Sequence, residues 1–155
     1  RKDEIGTLAG SFNAMADALT NKITEHKRVV EMLRKSNEQT QAILDNTTAV
    51  IYLKDTAGRY LLINQQFEKL FHVSKEQVVG KTDYDLFPKE NADAFRRNDL
   101  KVIEKRSSLV IEEVAPHDDG MHTYISLKFP MYDTVEGLYG VCGFSTDITG
   151  KEQRL

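Results

Sequence analysis

The sequence predicts an α+β domain: a five-stranded antiparallel sheet with short helices on one face, preceded by a long N-terminal helix of the coiled-coil type. Three observations carry this. From Asp3 to about Asn46 apolar residues repeat at helical spacing and no proline interrupts them. After Thr48 the period changes to that of strands. Two hairpin-connected strand groups, one of two strands and one of three, flank a run of short helical segments. That order places helices on a face of one antiparallel sheet.

In the first region apolar residues fall at Ile5, Leu8, Phe12, Met15 and Leu19, steps of three and four that form a heptad seam. Ile23 follows by a second consecutive step of four, a stutter that would locally unwind a coiled coil. The seam resumes through His26, Val30, Leu33, Asn37, Thr40 and Leu44, and its polar members weaken the far half. A helix of about 42 residues would reach roughly 63 Å, too long to fold back on a small domain. The expected cover is the same helix of a second copy, a homodimer through a parallel coiled coil. A single amphipathic helix lying on its own domain is the alternative.

The strands come next. "AVIYLKD" and "RYLLIN" are rich in strand-forming residues and are separated by "TAG", a hairpin. Asn64 can cap a short helix, "QQFEKLF". "SKEQ", Ser74 to Gln77, is a capping box that opens another helical turn, and Gly80 ends it. "DYDLFP" follows, and Pro88 suits the first turn of a helix from about 88 to 105 that carries Ala92, Phe95, Leu100, Val102 and Ile103. Three longer strands close the domain: "SLVIEEVA", "MHTYISLKF" and "LYGVCGFST". "HDDG" is a tight turn between the first two and "YDTVEG" joins the second pair. The central strands are apolar at both parities, so cover is expected on both faces.

Composition excludes several classes. A net charge of -3 gives no electrostatic footprint for nucleic acid, and none is expected as a partner. Cys142 is the single cysteine, so no internal disulfide can form and a reducing compartment fits. No apolar run approaches the roughly 18 residues that span a bilayer. The chain opens on Arg1 with a helical pattern already running at Ile5, which reads as a piece of a longer protein.

Several stretches, in this order, resemble a PAS sensory domain of the type that ends in a DIT motif. They are "YLKDTAGRYLLIN", "GKTDYDLFP", "KFPMYDTVEG" and a final "GFSTDIT", and the likeness runs from about residue 40 to 155. "DEIGTLAGSFNAMADAL" resembles the second helix of a HAMP linker. The resemblance implies four segments: 1–22 the C-terminal half of that linker, 23–46 a signalling coiled-coil helix, 47–149 the PAS domain and 150–155 the start of an output helix. It implies a cytoplasmic sensory, dimerising and relay module of a bacterial transmembrane receptor, with the parent protein in the inner membrane. The expected parent is a two-component sensor histidine kinase with a downstream output domain, and the chain itself is no enzyme. The alternative is a small-molecule or cofactor sensor in a diguanylate cyclase or chemoreceptor.

The tail supplies the relay. Thr149 can cap a new helix with Glu152 reaching back, and Asp147 stands just before that helix start, where negative charge is favoured. A surface turn that merely ends the strand is the competing reading.

Little other chemistry is legible. His26, His72, His117 and His122 show no metal spacing, and His117, next to the "DDG" turn, is expected in solvent. Haem-binding members of the family carry a histidine on the long helix, which "PKENADAFRRNDLKVIEKR" lacks. Flavin-binding members place a reactive cysteine on a short helix, whereas Cys142 is in the last strand. No cofactor is therefore expected, though an unidentified small ligand could occupy a cavity between sheet and helices. By similarity its walls would be Ile51, Leu53, Phe67, Phe71, Phe87, Phe95, Tyr124, Ser126, Val141, Gly143 and Ser145; a filled core without ligand is the alternative. Asp83 and Asp85 read as turn and helix-entry acceptors rather than a catalytic pair. Arg96 and Arg97 are expected to face solvent.

Overall fold

The computed structural model describes residues 2–151, and among them five helices and five strands. The chain divides into two units, the helix as far as Ala42 and a folded domain from Ile43 onward. Helix α1, Lys2–Asn46, runs without a break. Its first turn holds Asp3 and Glu4, where the helix dipole favours acid. Arg34 pairs along it with Glu31 and Glu38. The seam side chains Ile5, Leu8, Phe12, Met15, Leu19 and Ile23 are all more than half exposed in the single chain.

In the second unit the strands are β1 Val50–Asp55, β2 Tyr60–Ile63, β3 Leu109–His117, β4 Gly120–Asp133 and β5 Gly137–Asp147. They form one antiparallel sheet in the order β2-β1-β5-β4-β3. Between β2 and β3 the chain runs through α2 Gln65–Phe71, α3 Lys75–Val78, α4 Asp83–Leu86 and α5 Lys89–Lys105. The expected α+β class and strand count are those observed. Helix α4 was not separated from the turn before Pro88. Asp85 creates it by accepting from the Thr82 N–H at 3.0 Å, a short-range cap hidden inside an apparent loop.

Asn64 does more than the capping expected of it. Its Oδ1 accepts from Phe67 N, opening α2, and from Ile51 N at 3.0 Å. Its Nδ2 donates to the carbonyls of Leu44 and Ala49, both at 2.9 Å. One buried amide thus joins the last turn of α1, the entry to β1 and the start of α2. Its four partners are backbone groups that burial would otherwise leave unpaired.

Register sets the two faces. Val50, Tyr52 and Lys54 of β1 stand opposite Ser145, Gly143 and Val141 of β5, and all six are buried. With Tyr124, Ser126 and Lys128 of β4 and Glu113 and Ala115 of β3 they make the inner face, packed on the helices. The outer face carries Ile125, Leu127 and Phe144 at 42%, 38% and 40% exposure, so it is only partly covered within this chain. Strand β4 runs past the last β3 pair at Lys128, and from Phe129 to Asp133 it pairs with β5 alone. Pro130 occupies that overhang and Pro116 sits in edge strand β3, both places where a missing N–H is tolerated. The free side of β2 is closed by the link into α4, through Tyr60 N to Lys81 O and Gly80 N to Tyr60 O, both 2.8 Å.

Arg96 does not face solvent as expected. It lies over the β1–β2 turn, donating from Nη2 to Thr56 O at 3.0 Å. Gly58, at φ +87°, is needed there both for its left-handed backbone and because a Cβ would come within 3.1 Å of Arg96 Nη1. Arg97 is exposed as expected.

Candidate ligand cavity and signal junction

A cavity of about 40 Å3 lies between the inner sheet face and helices α2, α4 and α5. It is lined by Val50, Tyr52, Tyr60, Phe67, Phe71, Phe87, Phe95, Glu113, Ala115, Tyr124, Ser126 and Ser145. Successive rings meet at an angle along the wall: Tyr60–Phe67, Phe67–Phe71, Phe71–Phe87 and Phe87–Phe95 have centroids 4.9 to 5.4 Å apart. The polar lining is sparse. Ser126 Oγ and Ser145 Oγ bond each other at 2.7 Å, and Tyr52 OH lies 3.5 Å from the latter. In this conformation the space admits a few waters and is well below the roughly 300 Å3 of a typical small-molecule pocket.

Seven of the residues expected around a pocket line this cavity: Phe67, Phe71, Phe87, Phe95, Tyr124, Ser126 and Ser145. Val141 and Gly143 share the inner face without lining it. A Cβ on Gly143 would lie 2.2 Å from Tyr52 Cζ, so the Tyr52 ring occupies the place of a Gly143 side chain. Ile51 and Leu53 are corrections. Alternation puts them on the outer face of β1, and Tyr52 and Val50 take the inward positions. The run "AVIYL" is apolar at both parities, so hydrophobicity alone could not choose between them.

Beside the cavity is an ionic cluster that the sequence reading missed. Lys54 Nζ reaches Asp83 Oδ2 at 2.5 Å and Asp99 Oδ2 at 2.9 Å. Lys128 Nζ reaches Asp99 Oδ1 at 2.8 Å and Glu113 Oε2 at 2.7 Å. Tyr60 OH donates to Asp83 and Asn98 Nδ2 to Glu113. All these side chains are buried. Burial works against the charge on Lys54, but Asp99 and Asp83 outweigh it and its pKa is raised. Burial would likewise lift Asp99, and the two lysines pull it below the usual carboxylate range. The signal was present in the strand pattern: Lys54 follows Tyr52 by two residues and Lys128 follows Ser126 by two, so each shares a face with a residue directed inward. Asp83 is therefore an ion-pair partner in the core, while Asp85 serves as the cap.

A second polar cluster surrounds the end of β5. His122 Nδ1 lies 2.6 Å from Asp147 Oδ2, and its Nε2 lies 2.6 Å from Asp119 Oδ1. Thr149 N donates to Asp147 Oδ1 at 2.8 Å. Thr149 Oγ1 accepts from Thr123 N at 2.9 Å, and Ile148 N donates to Thr123 O at 2.9 Å. The Thr149 hydroxyl is thus engaged with β4. Residues 149–151 form a turn closed by Lys151 N to Ile148 O, with Gly150 at φ +84°. Glu152, the other half of the expected capping box, lies outside the described residues. Burial would raise the pKa of Asp147, but hydrogen bonds from His122 and Thr149 hold it down to about 2.

His117 is not in solvent as expected. Its ring stacks on Phe71 and Tyr124, and Nε2 meets Tyr124 OH at 2.5 Å. The two-residue turn 118–119 folds β3 back on β4 and brings it there. Cys142, half-buried on the outer face, has its thiol pushed up to about 11 by burial and is unreactive at neutral pH. Among the described residues no three His, Cys, Asp or Glu side chains are grouped to hold a metal ion.

The family model described as "PAS fold" matches residues 44–153, and the chain belongs to that family. It is 29% identical over 148 residues to the methanogenesis regulatory histidine kinase FilI of Methanothrix harundinacea, covering 94% of this chain and 16% of that protein. It is 32% identical over 112 residues to a diguanylate cyclase of Vibrio cholerae, covering 70% of this chain and 35% of the cyclase. Among solved structures, VqmA of Vibrio cholerae in a ligand–DNA complex superposes with a TM-score of 0.65 at 27% identity, over 72% of this chain and 51% of VqmA. The chain therefore spans about a sixth of the kinase and about a third of the cyclase. It is a PAS sensor domain whose relatives are signalling proteins. No helix among the described residues is long and apolar enough to cross a membrane.

Proposed function

We propose that this chain is the cytoplasmic sensory and relay segment of a membrane-anchored bacterial receptor, most simply a sensor histidine kinase. Residues 1–22 act as the second HAMP helix and 23–46 as a signalling helix, and the exposed seam from Ile5 to Ile23 pairs two copies in parallel. The segment from about 47 to 149 receives the motion, and the chain leaving Thr149 passes it to an output domain. The observation that carries the reading is the tethered exit of β5. Asp147, Ile148 and Thr149 are bonded to one another or to β4, so a change in sheet twist must move the exit. The likeness to a histidine kinase over almost the whole chain supports the parent class.

The test is the double variant Asp147→Ala/Thr149→Ala in the intact receptor. Regulation of output should be lost while the domain stays folded, read as an unchanged circular dichroism spectrum. Normal regulation in that variant would sink the relay. The paired helix is tested separately by native mass, with a dimer expected.

The cavity favours a second reading, a small-ligand sensor in a cyclase or chemoreceptor context. A solved structure of VqmA, of the same fold, is that of VqmA bound to DPO. Expansion of the aromatic wall would be needed to admit such a guest. Native mass spectrometry of the purified protein decides this: a retained small molecule supports the sensor and a bare dimer supports the relay.

A further inference from the structure

The environment of His122 has a chemical consequence of its own. Both ring nitrogens face carboxylate oxygens at 2.6 Å, Asp147 on one side and Asp119 on the other. Ionised carboxylates accept hydrogen bonds and cannot donate them. A neutral imidazole carries one N–H, so it can serve one of these partners and must turn a bare nitrogen lone pair toward the other. Only the imidazolium, with two N–H groups, satisfies both.

We propose that His122 is a proton-operated clasp on the signal junction: protonated, it holds the β3–β4 turn at Asp119 and the end of β5 at Asp147 together, and deprotonated it releases one of them. The inference rests on the relay reading for its biological output, but the clasp itself is a property of this domain.

The surrounding groups give the clasp its range and connect it to the cavity. Asp119 and Asp118 come from the β3–β4 turn, Asp147 from β5, His117 from β3 and Tyr124 from β4. His72, at the left-handed C-cap of α2, meets Asp118 at 2.7 Å. The two carboxylates raise the pKa of His122, with its hydrogen bond to Asp147 as the largest cause. His117 moves the other way, lowered first by burial and then by the positive charge on His122. The two rings, with centroids 4.2 Å apart, therefore titrate apart, His122 charged while His117 stays neutral. Nε2 of His117 meets the phenol of Tyr124, a wall residue of the cavity, at 2.5 Å. An occupant that displaced Tyr124 would disturb His117, then His122, then Asp147. The path from cavity to exit is four side chains long.

The experiment is a histidine-resolved NMR titration of this chain between pH 5 and pH 9, following the His122 ring and the backbone amides of Thr123 and Thr149. The His122 ring should titrate above the ordinary histidine range, and both amides should shift with the same midpoint. Asp119→Asn, at a side chain 74% exposed, should lower the ring midpoint without unfolding the domain. His122→Gln should abolish the shift of both amides, and if it fails to fold, the Asp119→Asn titration decides alone. A His122 midpoint at the ordinary value, or junction amides indifferent to it, would overturn the clasp. Failure of the relay is a different observation, unchanged regulation in the Asp147→Ala/Thr149→Ala receptor, so the two can fall separately.

Discussion

The domain holds two ionic clusters of similar chemistry and opposite character. Around Lys54 and Lys128 every charge is buried and each ammonium meets two carboxylates. Around His122 the ring is 20% exposed, and its partners Asp147 and Asp119 are more open still. A buried network of lysines and carboxylates cannot change its charge near neutral pH without leaving a bare ion in low dielectric. A partly exposed histidine between carboxylates can. The first arrangement fixes the floor of the cavity beside α5, and the second leaves the exit of β5 responsive. Burial, more than the identity of the charges, separates a structural ion pair from an adjustable one.

The sharpest way to break the contrast is Lys128→Met. It leaves Asp99 short of one cation and Glu113 without its own, at a cost of roughly 3–5 kcal/mol, read as a lower urea midpoint. Asn64→Ala should follow, since two buried and two part-buried backbone groups lose their partner. About 3 kcal/mol is expected from the usual penalty for such groups, measured in the same way. Gly143→Ala forces a methyl into the Tyr52 ring and should cost roughly 1–3 kcal/mol by overpacking, with Tyr52 driven toward the cavity in a crystal structure.

Acid and base should both act on the junction. The folded pKa of His122 is raised, so its stabilisation is complete below the unfolded value of about 6.5 and is lost as pH climbs through the folded one. The folded pKa of Asp147 is depressed, so its share is present above its unfolded value of about 3.9 and fades as pH falls toward about 2. Both are in place between roughly pH 4 and 6.5. His117 opposes the trend, because burial makes the folded state the weaker base and stability falls as that proton binds. The smallest effect is Asp119→Asn, expected to alter the melting temperature little, as exposed substitutions stay within about 0.5 kcal/mol, while still lowering the His122 midpoint.

Most of the fold was legible because its signals are local: alternation in β3 and β5, the Ser74–Gln77 box and the two-residue turn after His117. The cavity was legible through family resemblance at Tyr124, Ser126 and Ser145, and was misplaced at Ile51 and Leu53, where β1 is apolar on both faces. The Lys54–Asp83–Asp99–Lys128–Glu113 cluster was not legible, because it joins residues from five separate elements and each alone passes for a surface charge. The His122–Asp147 contact spans 25 residues of sequence, and only the β4–β5 register brings it together. Pairings of this kind follow from topology, which periodicity does not encode.

Pro116 at the end of edge strand β3, Pro130 in the β4 overhang and the Gly80–Lys81 link along β2 make the borders of this sheet poor templates for a foreign strand. A neighbour of any kind must therefore approach broadside, against the half-open face of Ile125 and Phe144 or along the N-terminal rod. Crowding many copies together then carries little danger of fibrillar stacking.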